Sequence, residues 1–188
     1  AGHQPPFLAG RQMEREQFER LLSQPVITEN VLITGLRGIG KTVLFDQLRS
    51  KAEAAGWLWV GNDLAESSSI SEERLALRIL TDIAQAISDR INRPAANSDI
   101  SSLRQRLDQS FKPEEKGYTF DALRAHFEQS PGLPSDRLRA VLQRVSTLVR
   151  QLQMRGLVLG YDEAQCLCDH ADRNEFPLSA LLEVVSQL

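Results

Sequence analysis

The stretch Gly35-Leu36-Arg37-Gly38-Ile39-Gly40-Lys41-Thr42 packs three glycines, a lysine and a hydroxyl residue into eight positions. Glycines at 35, 38 and 40 permit a tight turn and leave its amides open to an anion. A nucleoside triphosphate needs such a ring of N–H donors at close range, and side chains would obstruct the approach. Lys41 can set its ammonium on the β- and γ-phosphates, and Thr42 can give its hydroxyl to Mg²⁺. The phosphate-binding set is Gly35, Gly38, Ile39, Gly40, Lys41, Thr42 and Val43, with Lys41 also a catalytic candidate. The spacing is G-x-x-x-x-G-K-[ST], the Walker A pattern.

A phosphate loop of this kind works with a second acidic group at the end of a neighbouring strand. Leu157-Val158-Leu159-Gly160-Tyr161-Asp162-Glu163 supplies one. Asp162 is the second candidate ligand for Mg²⁺, beside Thr42. Glu163 stands where a carboxylate can orient or deprotonate an attacking water, a role worth roughly 10²- to 10⁴-fold in rate. Gly160-Tyr161 departs from the bulkier aliphatics expected there, and glycine in a strand often marks close backbone approach.

These residues must be held by a regular scaffold. Val31-Leu32-Ile33-Thr34, closed by Gly35, predicts a buried strand before the loop. A helix should run over 41–55, with Gly56 as its stop. Trp57–Val60 predicts a second strand, and 157–159 a third. Met13, Phe18, Leu21 and Leu22 predict an amphipathic helix over 11–23. Leu80, Ile83, Ala84, Ile87 and Ile91 give one over 70–91. The segment 92–134 reads as a helical insertion with short helices near 101–110 and 120–129. Leu138, Val141, Leu142, Val145, Leu148, Val149 and Leu152 share one arc of a helix over 135–155. A last helix covers 178–188. Alternating strands and helices predict an α/β fold, a parallel sheet with helices on both faces.

Composition sets the outer limits. The chain has 188 residues, 41% hydrophobic and 25% charged, with net charge −3. That is the profile of a folded globular domain, not of a disordered chain. A surface devoted to wrapping nucleic acid would be basic. No stretch reaches the roughly 18 apolar residues of a membrane helix, and no secretory signal opens the chain. Cys166 and Cys168 make no disulfide framework, so a reduced cytoplasmic setting is expected. With His170 they form C-x-C-x-H, a poor match to zinc-site spacing. Arg137, Arg144 and Arg155 line one edge of their helix, read as a solvated edge whose stems cover the core.

Phe7-Leu8-Ala9-Gly10-Arg11-Gln12-Met13-Glu14, followed by Leu21-Leu22, resembles the opening of AAA+ and STAND ATPases related to the origin-recognition ATPases. Asp162-Glu163-Ala164-Gln165 is similar to strings in the same family. Gln12 stands where that family often has Glu. The resemblance implies a P-loop ATPase domain over 1–188, with Phe7, Leu8, Gly10 and Arg11 near the adenine. It implies ATP and Mg²⁺ as ligands, and an unknown protein or DNA partner, with self-association left open. In that family a sensor strand, an arginine finger and a lid follow, so the chain is expected to be the N-terminal part of a longer ATPase with weak turnover alone. The first function expected is ATP hydrolysis driving a conformational change. The alternative is a STAND-type nucleotide-gated switch with little turnover. No N-K-x-D string is present to read guanine.

Overall fold

Strand β1 (Trp57–Val60) alternates its side chains between two different cores. Trp57 and Trp59 face one side with helices α1 (Gln12–Ser23) and α2 (Lys41–Ala54). Leu58 and Val60 face the other, with α3 (Glu72–Asn92), α4 (Phe120–Gln129) and α5 (Pro134–Gln151). The period of two along a strand makes this division automatic. Strand β2 (Gly156–Leu159) pairs parallel to β1 in the register Trp57↔Gly156 to Val60↔Leu159. Val158 joins the tryptophan side, and Leu157 and Leu159 the other. Helix α6 (Pro177–Ser186) completes the order and packs on α3 and α5.

This computed structural model describes residues 10–24, 27, 29–68, 70–92 and 117–187. Phe7, Leu8 and the helix expected near 101–110 lie outside those residues.

The helices on the α3 side follow their apolar spacing. Leu75, Ala76, Ile79, Leu80, Ile83 and Ile87 are buried on α3, and Leu138, Val141, Leu142, Val145 and Val149 on α5. Helix α4 sends Leu123 and Phe127 into the same core, both essentially without exposure. Its N-terminus is capped by Thr119, whose hydroxyl accepts the Ala122 N–H at 3.3 Å. Helix α5 starts on Pro134, and its Asp136 carboxylate accepts the Leu133 N–H at 3.1 Å. Arg137 Nε donates to the Gly132 carbonyl at 3.0 Å, and the Arg155 guanidinium lies 5.8 Å from the centre of the Trp57 ring. Helix α5 ends at Gln151, four residues short of the expected end, so Arg155 lies off the helix just before β2 and does not share an edge with Arg137; each arginine is engaged with its own fold.

Two expectations fail. Met13 belongs by its spacing to the apolar side of α1 but is 67% exposed; Phe18, Leu21 and Leu22 alone carry the packing. Residues 31–34 form no strand, and Val31 and Leu32 are 54% and 77% exposed. A strand exists only as a partner in a hydrogen-bonded ladder. Among the described residues the sheet is β1 and β2 alone. Apolar, β-branched composition could not supply the missing partner. Ile33 still packs beside Trp59 and Val158, which keeps the segment against the α2 side. The α/β reading therefore holds with a sheet smaller than expected.

Candidate functional site

The glycine-rich loop reaches α2 through Gly40, the residue before the helix, at φ 82°. Gly35 and Gly38 also have positive φ, at 148° and 85°. These are the conformations that L-residues resist, so the three glycines are required by the path of the loop. The loop is open to solvent, with Leu36 80% and Ile39 42% exposed. Helix α2 begins at Lys41 and directs its positive end at the loop.

Lys41 folds back over the loop it follows. Its Nζ donates to the carbonyls of Gly35 at 3.1 Å and Leu36 at 3.0 Å. Both acceptors are neutral, so an anionic phosphate offers the ammonium a stronger partner.

Thr42 and Asp162 stand 120 residues apart in sequence, yet the Thr42 Oγ1 donates to Asp162 Oδ2 at 2.7 Å. The start of α2 and the end of β2 therefore converge on one point. Asp162 is half-buried, and its other oxygen accepts the Glu163 N–H at 2.8 Å. A hydroxyl and a carboxylate in contact form a hard oxygen donor set. Mg²⁺ suits such a set, since it takes one or two protein oxygens and fills its remaining positions with water and phosphate. The residues present fit that ion.

Glu163 lies one position further on, exposed, with φ 54° and ψ 34°. A non-glycine residue in this left-handed region costs of order 1–3 kcal/mol, and such outliers gather at working sites. Its carboxylate accepts a hydrogen bond from Gln165 Nε2. Arg11 also reaches the site: its Nη2 donates to the Ile39 carbonyl at 3.4 Å while its Nη1 pairs with Glu14 at 2.7 Å. That pairing holds the Glu14 carboxyl below its ordinary value. Gly10 sits just before Arg11 in a left-handed turn, with φ 90°.

The strand end is stitched to its neighbour beyond the regular ladder. Gly160 N donates to Val60 O at 2.8 Å, Asp162 N to Asn62 O at 3.0 Å, and Leu64 N to Asp162 O at 3.1 Å. Asp63 and Asp162 face each other as a parallel bridge. Gly160 has its own reason: a Cβ there would overlap the Trp59 ring, which also meets Phe45 edge-on at 5.1 Å between centroids.

A family profile described as AAA ATPase domain matches residues 8–188. The chain belongs to the AAA ATPase domain family. With that membership come nucleotide binding and hydrolysis as general functions, and an α/β phosphate-loop fold of which this small parallel sheet is a part. No curated protein and no solved structure matches the chain. Among the described residues, no helix of this AAA domain is long and apolar enough to cross a membrane.

Sequence reasoning missed three residues that the fold brings to the end of β2. Tyr161 donates its hydroxyl to Asp82 Oδ2 at 3.0 Å, and Arg78 Nε donates to the same oxygen at 2.9 Å. Burial first, then the Asp82 charge, push the Tyr161 phenol up, so it remains a neutral donor. The i,i+4 spacing of Arg78 and Asp82 was visible in the sequence. Their arrival at the end of β2, 79 residues from Asp82 to Tyr161, was not.

Proposed function

We propose that this AAA domain binds Mg²⁺-ATP and hydrolyses it to drive a conformational change. The observation that carries the reading is the contact of Thr42 with Asp162, which joins the loop to the acidic strand end. The amides of Gly35 to Val43 cradle the phosphates, and Lys41 leaves its two carbonyls to hold the β- and γ-phosphates. Thr42 and Asp162 hold Mg²⁺, which when bound neutralises charge on the phosphate oxygens. Glu163 orients the attacking water and takes its proton. The approach of Arg11 to the loop supports an adenine pocket formed by Phe7, Leu8, Gly10 and Arg11. The two free cysteines fit work in the reducing cytoplasm.

One contact favours a second reading, a nucleotide-gated switch with little turnover. Glu163 Oε2 accepts from Gln165 Nε2, so one of its two oxygens is turned to a neighbour and not to a water.

Two variants test the first reading. Lys41→Ala should weaken ATP binding at least about 10²-fold, since the site loses the ammonium that meets the β- and γ-phosphates. Glu163→Gln should leave binding intact and lower single-turnover hydrolysis by at least about 10²-fold. Calorimetric ATP titration and phosphate release measure the two. Unchanged affinity in Lys41→Ala would overturn the phosphate site, and equal binding losses in both variants would make Glu163 structural.

A further inference from the structure

The geometry points to a brace, formed by Tyr161 with Arg78 and Asp82 of α3, that fixes Asp162 against Thr42 and thereby sets the affinity for Mg²⁺ at the nucleotide site. It rests on the Mg²⁺-ATP reading above and adds three positioning residues to it.

Asp82 Oδ2 accepts two donors, Tyr161 Oη at 3.0 Å and Arg78 Nε at 2.9 Å. The second arm of the same guanidinium, Nη2, donates to the Asp63 carbonyl at 3.5 Å. Asp63 is the bridge partner of Asp162. Helix α3 therefore grips the strand end twice, through the side chain just before Asp162 and through the backbone just beside it. Asp162 is stitched on both sides of this grip, its N–H to Asn62 and its carbonyl to Leu64. The backbone that carries the Asp162 carboxylate is thus held on both sides opposite Thr42, and the carboxylate itself is oriented by Thr42 Oγ1 and the Glu163 N–H.

The plain alternative is that Tyr161 fills space. Its ring does lie against Gly61, just past β1: a Cβ on Gly61 would stand 2.8 Å from the Tyr161 Cε1. Filling space needs only the ring, and phenylalanine would do it without carrying a polar group into a half-buried position. The hydroxyl has found a charged acceptor on a different element, which is a directional constraint and not a packing one. A second tie supports the role of α3. Glu175 Oε2 accepts the Glu72 N–H at 3.1 Å, and Glu72 Oε1 accepts the Phe176 N–H at 3.3 Å. The segment carrying Asp162 and Glu163 is thus pinned to α3 before and after them.

The test uses the full chain and Tyr161→Phe, with ATP affinity measured calorimetrically without metal and across a Mg²⁺ titration. Metal-free ATP binding should stay within about twofold of the parent, because the loop amides and Lys41 are untouched. The Mg²⁺ concentration for half-maximal effect should rise about tenfold, the scale of one hydrogen bond to a charged group. Asp82→Asn, which keeps an acceptor for Tyr161, should shift it less. A role in packing alone would leave the Mg²⁺ dependence unmoved. A folded Tyr161→Phe with the parent's Mg²⁺ dependence overturns the brace and leaves the ATP reading standing. A parent chain that binds no ATP overturns the ATP reading, and the brace with it. If Tyr161→Phe fails to fold, Arg78→Gln takes its place, altered on a partly exposed side chain. A raised Mg²⁺ requirement in that variant supports the brace, and an unchanged one overturns it.

Discussion

The two sides of the sheet are built to different standards. Among the described residues, six buried hydrophobics make the core between the sheet and α1 and α2. Eighteen make the core on the α3 side. The thinner side carries the glycine-rich loop, with Leu36 and Ile39 exposed, and the exposed Val31 and Leu32. Local stability follows apolar burial, so segments that respond to ligands come from the weakly packed end of a structure. The α3 side is the platform. Asp162 lies where the platform meets the thinner side, touching Thr42 of one and stitched to the strand end that α3 holds.

The strongest way to break this contrast is to damage the platform. Phe127→Ala removes an aromatic ring with 1% exposure from the larger core. It should cost about 3–5 kcal/mol, read from the midpoint of a urea melt. A loss below about 1 kcal/mol would mean that α4 is not part of the platform.

Gly160→Ala probes the border between the two sides with a smaller effect. The added methyl must displace the Trp59 ring, a strain of about 1–3 kcal/mol. Trp59 packs with Phe45 of α2, so its emission should shift as stability falls. No change in either measurement would show that the ring does not rest on Gly160.

The smallest expected effect is a pH dependence at the start of α6. Asp169 accepts hydrogen bonds from the Ser179 hydroxyl and N–H and from the Leu178 N–H. Those from Ser179, first of all its hydroxyl, hold the Asp169 carboxyl below its ordinary value. A lowered carboxylate pKa contributes stability that is fully present above the unfolded value of about 3.9 and is lost as pH falls through the folded one. Amide exchange at Leu178 and Ser179 should therefore accelerate, beyond the intrinsic pH trend, only below about pH 4. Acceleration already at pH 6 would assign the protection to another group.

The parts whose cause is local could be read from the residues alone. Three glycines before Lys41-Thr42 announced a tight turn because only glycine follows that backbone path freely, and all three have positive φ. Helical spacing of apolar residues announced α3 and α5 because the period of 3.6 is a property of the chain alone. β1 and β2 were legible from short apolar runs between turn signals. What pairs with what could only be decided in three dimensions. The run at 31–34 has strand composition but no ladder, because backbone hydrogen bonding needs a neighbour that composition cannot specify. Gly160 looks like a flaw in the strand until the Trp59 ring is seen to occupy the space of its side chain. Tyr161 looks equally out of place, and its partner Asp82 is 79 residues away in sequence. A half-buried hydroxyl seeks an acceptor, but only the placement of α3 beside Tyr161 determines which one it finds.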